Sequence, residues 1–190
     1  MRILTSRLLA VVAIACSLNV EPIRAEVEKI DMPGIRNFSQ IEGMSGFAGP
    51  LAGFGGATQP AAMAELKNAG FNTVINLRLA SEEDVNIDSS RTAARAAGLH
   101  YTHLPFDTEQ PDPAVVEEFL TIVGNTANQP VYMHCNSATR AAALWMIGRV
   151  LQDGWSLEAA GKEVEAISPK HADAIAFATA YLASQQAPVN

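Results

Sequence analysis

Three short apolar runs, each set apart from the next by a helix-length segment, restrict what this chain can fold into. They are "FNTVINLR" (71–78), "LHYTHLPF" (99–106) and "PVYMH" (130–134). Strands separated this way cannot pair as tight hairpins, so they are joined by helical crossovers and lie parallel. The first run is apolar enough to be buried on both faces. The intervening segments carry helix signals. Pro60 opens a helix to Ala69 that Gly70 ends; "SSRTAARAAG" is closed by Gly98; Asp112 caps a helix with Pro113 in its first turn, running to about Val123. A helix from Arg140 ends at Gly154, and two more follow with Ser156 and Ser168 as caps. The fold class is therefore α/β, a small mostly parallel sheet flanked by helices. One domain is expected over 54–190. Residues 26–53 read as an irregular lead-in with one strand near Phe38–Ile41, and the glycine run at 43–56 reads as a flexible connection. That run lacks the spacing and lysine of a nucleotide loop.

Composition narrows the partners. With 190 residues, 48% hydrophobic and 17% charged, the chain can bury a core. A net charge of -7 and the lack of a basic run argue against nucleic acid, so a bound anion must be held by local donors. Residues 1–25 have Arg2 and Arg7, an apolar run from Leu8 to Val20, and Ala25 before Glu26, the layout of a cleaved signal peptide. A secreted or periplasmic location is expected, with no transmembrane segment in the mature chain. Cys16 is a weak match to a lipid-attachment cysteine, because Ala13 stands where leucine is preferred. Cleavage would leave 10 of the 13 basic and 19 of the 20 acidic residues, and Cys135 as the one cysteine, which excludes an internal disulfide.

A lone thiol in an exported chain is a liability unless it is buried or used, so Cys135 reads either as core filler or as a functional group, and its surroundings favour the second. In "VYMHCNSATRAAALWMIG" it falls where a strand gives way to a helix, and ligands of parallel sheets bind beyond the carboxyl ends of strands. Backbone amides and the positive end of the helix dipole favour an anion and a thiolate there. Arg140 adds a cation able to fork two oxygens. Asn136, Ser137 and Thr139 are small and polar and leave the concavity open. The set suits a thiolate nucleophile with an oxyanion cradle.

"HCNSATR" between strand and helix resembles the signature of cysteine-dependent phosphatases. With "AAMAELKNAGFNTVINLR" and "LHYTHLPFD", the stretch from about Phe54 to Ile167 resembles bacterial dual-specificity and tyrosine-phosphatase-like proteins, related to the beta-lactamase-hydrolase-like phosphatase domain. The resemblance implies Cys135 as nucleophile, Arg140 holding the phosphoryl oxygens, and the amides of Asn136, Ser137, Ala138 and Thr139 completing the cradle. It implies Asp107, directly after the second strand, as general acid; Asp112 is better explained as a helix cap. A phosphorylated protein or small molecule is the implied substrate, with no metal or organic cofactor. Arg78 closes its strand at the same sheet edge, where it touches substrate, braces the cysteine loop, or pairs with Glu82 or Glu83.

Three features depart from the family pattern. Four residues, not five, separate Cys135 from Arg140, a spacing also common in rhodanese-like sulfurtransferases. Ala138 replaces a usual glycine and limits positive backbone dihedrals. Ala141 stands where a hydroxyl often follows the arginine, with Thr139 as a substitute. A sulfurtransferase carrying a Cys135 persulfide, and a phosphate-binding module without efficient turnover, are the alternatives. His134 is expected to turn from the pocket and orient the loop through hydrogen bonds. His100 and His103 face opposite sides of a strand and make a poor metal pair. Trp145, Met146 and Ile147 read as core, and Trp155 as packing at a helix junction. Nothing in the pattern specifies an oligomeric state.

Overall fold

The computed structural model describes residues 26–186; the expected signal segment and Cys16 lie outside the described residues. Six strands form one sheet: β1 (Val27–Lys29), β2 (Ser39–Glu42), β3 (Leu51–Gly55), β4 (Thr73–Asn76), β5 (His100–His103) and β6 (Val131–His134). Their order is β1-β2-β3-β6-β4-β5. The β3, β6, β4 and β5 neighbours run parallel, while β1, β2 and β3 form an antiparallel meander at one side. The helices are α1 (Met63–Asn68), after a 3-10 turn at Pro60–Ala62, α2 (Ile87–Ala96), α3 (Pro113–Gly124), α4 (Thr139–Leu151), α5 (Leu157–Ile167) and α6 (His171–Gln186).

Strand alternation sorts the side chains into two cores. On β6, Val131 and Met133 join a core with α3 to α6, whereas Tyr132 joins a smaller core with residues of α1 and α2. β4 divides likewise through Ile75 and Val74. The expected mostly parallel sheet flanked by helices is what forms. Asp112 Oδ1 accepts from Ala114 N at 2.9 Å, and Ser156 Oγ accepts from Ala159 N at 3.1 Å, so both caps stand. Ser168 does not cap α6, which starts at His171; its Oγ accepts instead from Lys170 N at 3.2 Å. α2 begins at Ile87, two residues before the "SSRTAARAAG" segment from which it is expected.

The lead-in needs a larger correction. Residues 27–55 are not irregular but supply three strands, and the glycine run contains β3, an interior strand paired with both β2 and β6. Its glycines admit aromatic neighbours. A Cβ on Gly53 would come within 2.5 Å of Phe71 Cζ, and one on Gly55 would collide with the Tyr132 hydroxyl and lie 2.8 Å from Ile35 Cγ2. Close approach, not flexibility, is why glycine stands there.

Helix α4 is buried from Ala141 to Arg149. Trp145, Met146 and Ile147 are core residues, as expected. Arg149 lies between the rings of Trp145 and Trp155, 4.6 and 4.3 Å from their centroids. It donates to Glu163 at 2.9 and 3.0 Å and to Asp153 at 2.8 Å. Among the described residues, no helix is long and apolar enough to cross a membrane.

Candidate active site

The site is built on the turn from β6 to α4. Cys135 follows the last β6 residue and is 1% exposed. Its N–H donates to Gly55 O at 3.2 Å, and Ala57 N donates to Asn136 O at 2.9 Å, so the cysteine loop is held against the end of β3. Gly56 allows this approach, because a Cβ there would sit 2.8 Å from Asn136 O. Ala138 adopts φ 70°, contrary to the expectation that a β-carbon would keep it from positive dihedrals. The loop turns left-handed there with an alanine in place. As the residue before α4, Ala138 has no side-chain oxygen to cap the helix. The first amides of α4 have no carbonyl one turn back within the helix, the condition that suits them to an anion.

Arg140, on the first turn of α4, reaches across to the end of β4. Its Nη1 meets Glu82 Oε1 at 2.6 Å and donates to Leu77 O at 3.1 Å and Phe106 O at 3.3 Å. Burial works against its charge, but Glu82 and the neighbouring Cys135 hold its pKa above the ordinary arginine value. Glu82 organises the surroundings. Its Oε1 also accepts from Leu79 N at 2.7 Å, and its Oε2 accepts from Arg78 Nε at 3.1 Å. Burial works to raise the Glu82 pKa, yet these hydrogen bonds and the Arg140 charge hold its carboxyl below the usual range. Arg78 is 5% exposed; its guanidinium also donates to the carbonyls of Glu83 and Asp84. Arg78 thus pairs with Glu82. His103 Nε2 donates to Arg78 O at 2.8 Å.

Two cavities flank the loop. The smaller, about 350 Å³, is lined by Asp107, Ser137, Thr139, Arg140, Lys170 and Asp173 among others. The larger, about 1020 Å³, is lined by Asn136, Arg78, Glu82, Arg36 and residues 57–61 among others. Cys135 and Ala138 line neither. Asp107 Oδ1 accepts from Glu109 N at 2.9 Å, which fixes the start of its loop. Asp112 is taken up as a cap. His134 is buried and stacked on Tyr132 with centroids 5.7 Å apart, and neither ring nitrogen has a hydrogen-bond partner among the described residues. No well-formed hydrogen bond ties its ring to the loop; burial pushes its pKa down to about 4 against weaker support from the backbone of Cys135 and Gly56, leaving it neutral.

The phosphatase-like domain family of beta-lactamase hydrolase-like proteins matches residues 53–152, which include β6, the cysteine loop, Asp107 and Arg140. This chain belongs to that family. Two curated relatives are the beta-lactamase hydrolase-like proteins of Xylella fastidiosa, 30% identical over 61% of this chain, and Agrobacterium fabrum, 31% identical over 65%. The matched regions are 26% and 28% of those proteins, so the chain spans only about a quarter of the relatives' length. Among solved structures, Pseudomonas aeruginosa TpbA in complex with phosphotyrosine superposes with a TM-score of 0.58 at 18% identity, covering 83% of this chain and 88% of TpbA. The Siw14 catalytic core aligns with a TM-score of 0.57 at 18% identity, over 83% of this chain and 94% of that one. These likenesses establish a cysteine-phosphatase fold. Within this family's fold, sequence reasoning overlooked Glu82 as the partner of Arg140 and Lys170 as a cavity residue. The only signal for Glu82 was its place four residues after Arg78.

Proposed function

We propose that this protein is a cysteine-dependent phosphomonoester hydrolase of the tyrosine or dual-specificity type, exported from the cell and acting through a phosphocysteine. The observation that carries this reading is Arg140 and Asp107 on one cavity beside the uncapped start of α4, with Cys135 one residue past β6. The Cys135 thiolate attacks phosphorus while the bond to the leaving oxygen breaks. Asp107 gives that oxygen its proton. Arg140 and the first amides of α4 hold the three remaining oxygens as charge spreads over them. Water then attacks the phosphocysteine, Asp107 takes its proton, and the thiolate leaves with inorganic phosphate released. Phosphotyrosine bound to TpbA supports a phosphorylated ligand. The signal-like residues 1–25 support export.

The four-residue gap between Cys135 and Arg140 favours a second reading, sulfur transfer through a Cys135 persulfide, which needs no acid at Asp107. The two are separated by para-nitrophenyl phosphate hydrolysis, scanned from about pH 5 to 8. Turnover should be lost in Cys135→Ser and fall about a hundredfold in Asp107→Ala. Wild-type turnover no greater than that of Cys135→Ser refutes the phosphatase; cyanide-dependent consumption of thiosulfate by the same protein would then establish the sulfurtransferase.

A further inference from the structure

Lys170 is a second cation on the cavity that holds Arg140 and Asp107, and the mechanism above makes no use of it. It lies in the turn between α5 and α6, and that turn is tied to the cysteine loop. Lys170 N donates to the buried Ser168 Oγ, which meets Thr139 Oγ1 at 3.4 Å; Thr139 Oγ1 is 2.9 Å from Ser137 Oγ. The Lys170 side chain is exposed, and among the described residues its Nζ has no hydrogen bond or ion pair, including with Asp173, which lines the same cavity. The fold gives no reason for a cation here. Lys170 immediately precedes α6, where the positive end of the helix dipole disfavours it and where an acidic residue such as Asp173 is the suited type.

The leaving group enters the same cavity, because Asp107, which protonates it, is on the wall. A volume of about 350 Å³ accommodates a small ligand. We infer that Lys170 is a specificity-determining residue, which binds a second anionic group on the leaving-group side of a small phosphomonoester. This inference rests on the phosphatase reading. Arg140 holds the phosphoryl group, and Lys170 holds a carboxylate or second phosphate carried by the remainder of the molecule.

The test compares phosphate release by the purified protein from phenyl phosphate and from its 3- and 4-carboxy derivatives, which differ in the added anion. At least one carboxylated ester should show about tenfold higher kcat/KM than phenyl phosphate, mainly through KM, shrinking with added salt. The preference should vanish in Lys170→Gln and persist in Lys170→Arg. Equal kcat/KM in the wild type, or a preference kept in Lys170→Gln, overturns the assignment. A preference for a phosphotyrosyl peptide over both esters does so too. Hydrolysis of none of the esters would refute the phosphatase reading itself, and calorimetric titration of Cys135→Ser then decides the role of Lys170. Tighter binding of a carboxylated ester than of phenyl phosphate, lost on adding Lys170→Gln, sustains it; equal binding or none overturns it.

Discussion

Ala138 holds a left-handed backbone at φ 70°, a conformation that a β-carbon resists by roughly 1–2 kcal/mol. Replacing it with glycine should raise stability by about 1 kcal/mol after the added freedom of the unfolded chain is counted, read as a higher urea midpoint. Glu82 acts on a different quantity. It joins Arg140 to Arg78 and to the backbone at Leu79, so Glu82→Gln should lower kcat/KM on para-nitrophenyl phosphate about tenfold by loosening Arg140. Unchanged kinetics would mean that Arg140 is positioned without it. His134 adds a pH dependence. Its folded pKa of about 4 lies below the free value of 6.5, so the unfolded chain binds the extra proton first. Stability is full above about pH 6.5 and falls as pH drops toward about 4, by on the order of 3 kcal/mol. Urea midpoints measured across that range should show the fall, with a flatter slope in His134→Phe.

Among the elements, β3 sets the limit on what could be read in advance. Its glycines receive Phe71 and the Tyr132 hydroxyl, so Gly55→Ala should destabilise the protein by about 3 kcal/mol, seen as a lower melting temperature with unchanged spectra before the transition. No periodicity marks such a strand, because its apolar positions are interrupted by residues chosen for lack of bulk. β4 and β6 were legible because each is a short stretch with consecutive apolar residues, Val74–Ile75 and Val131–Met133, near turn residues. α3 and α5 were legible because Asp112 and Ser156 are local caps. The cysteine loop was legible for the same reason, since Cys135 to Arg140 is a continuous segment between a clear strand and a clear helix. The contact of Glu82 with Arg140 joins residues 58 positions apart through a turn that only the folded sheet creates. The approach of Lys170 to the site likewise depends on how α5 and α6 pack on α4.

For the whole molecule, the two cores are joined by β4 and β6, and the large core is fastened by the Arg149 cluster. That guanidinium lies against Trp145 and Trp155 and binds Glu163 and Asp153; Asp153 Oδ1 also accepts from Phe47 N at 2.8 Å. The cluster thus holds the segment before β3 against α4 and α5. Glu163→Gln leaves the arginine buried with less compensation and should lower stability by about 3 kcal/mol, while a phosphatase assay below the melting point should change little.

The extent of the sheet bears on how this unit can be separated from its surroundings. The family match begins at residue 53, yet hydrogen bonding to β3 begins on the other side with β2 and continues into β1. A fragment cut at the family boundary would begin inside β3, without Leu51 and Ala52, and would leave the margin that β2 covers as an open row of amides and carbonyls. Such a piece would meet its own copies edge to edge and precipitate, whereas a piece starting at residue 26 keeps that margin occupied.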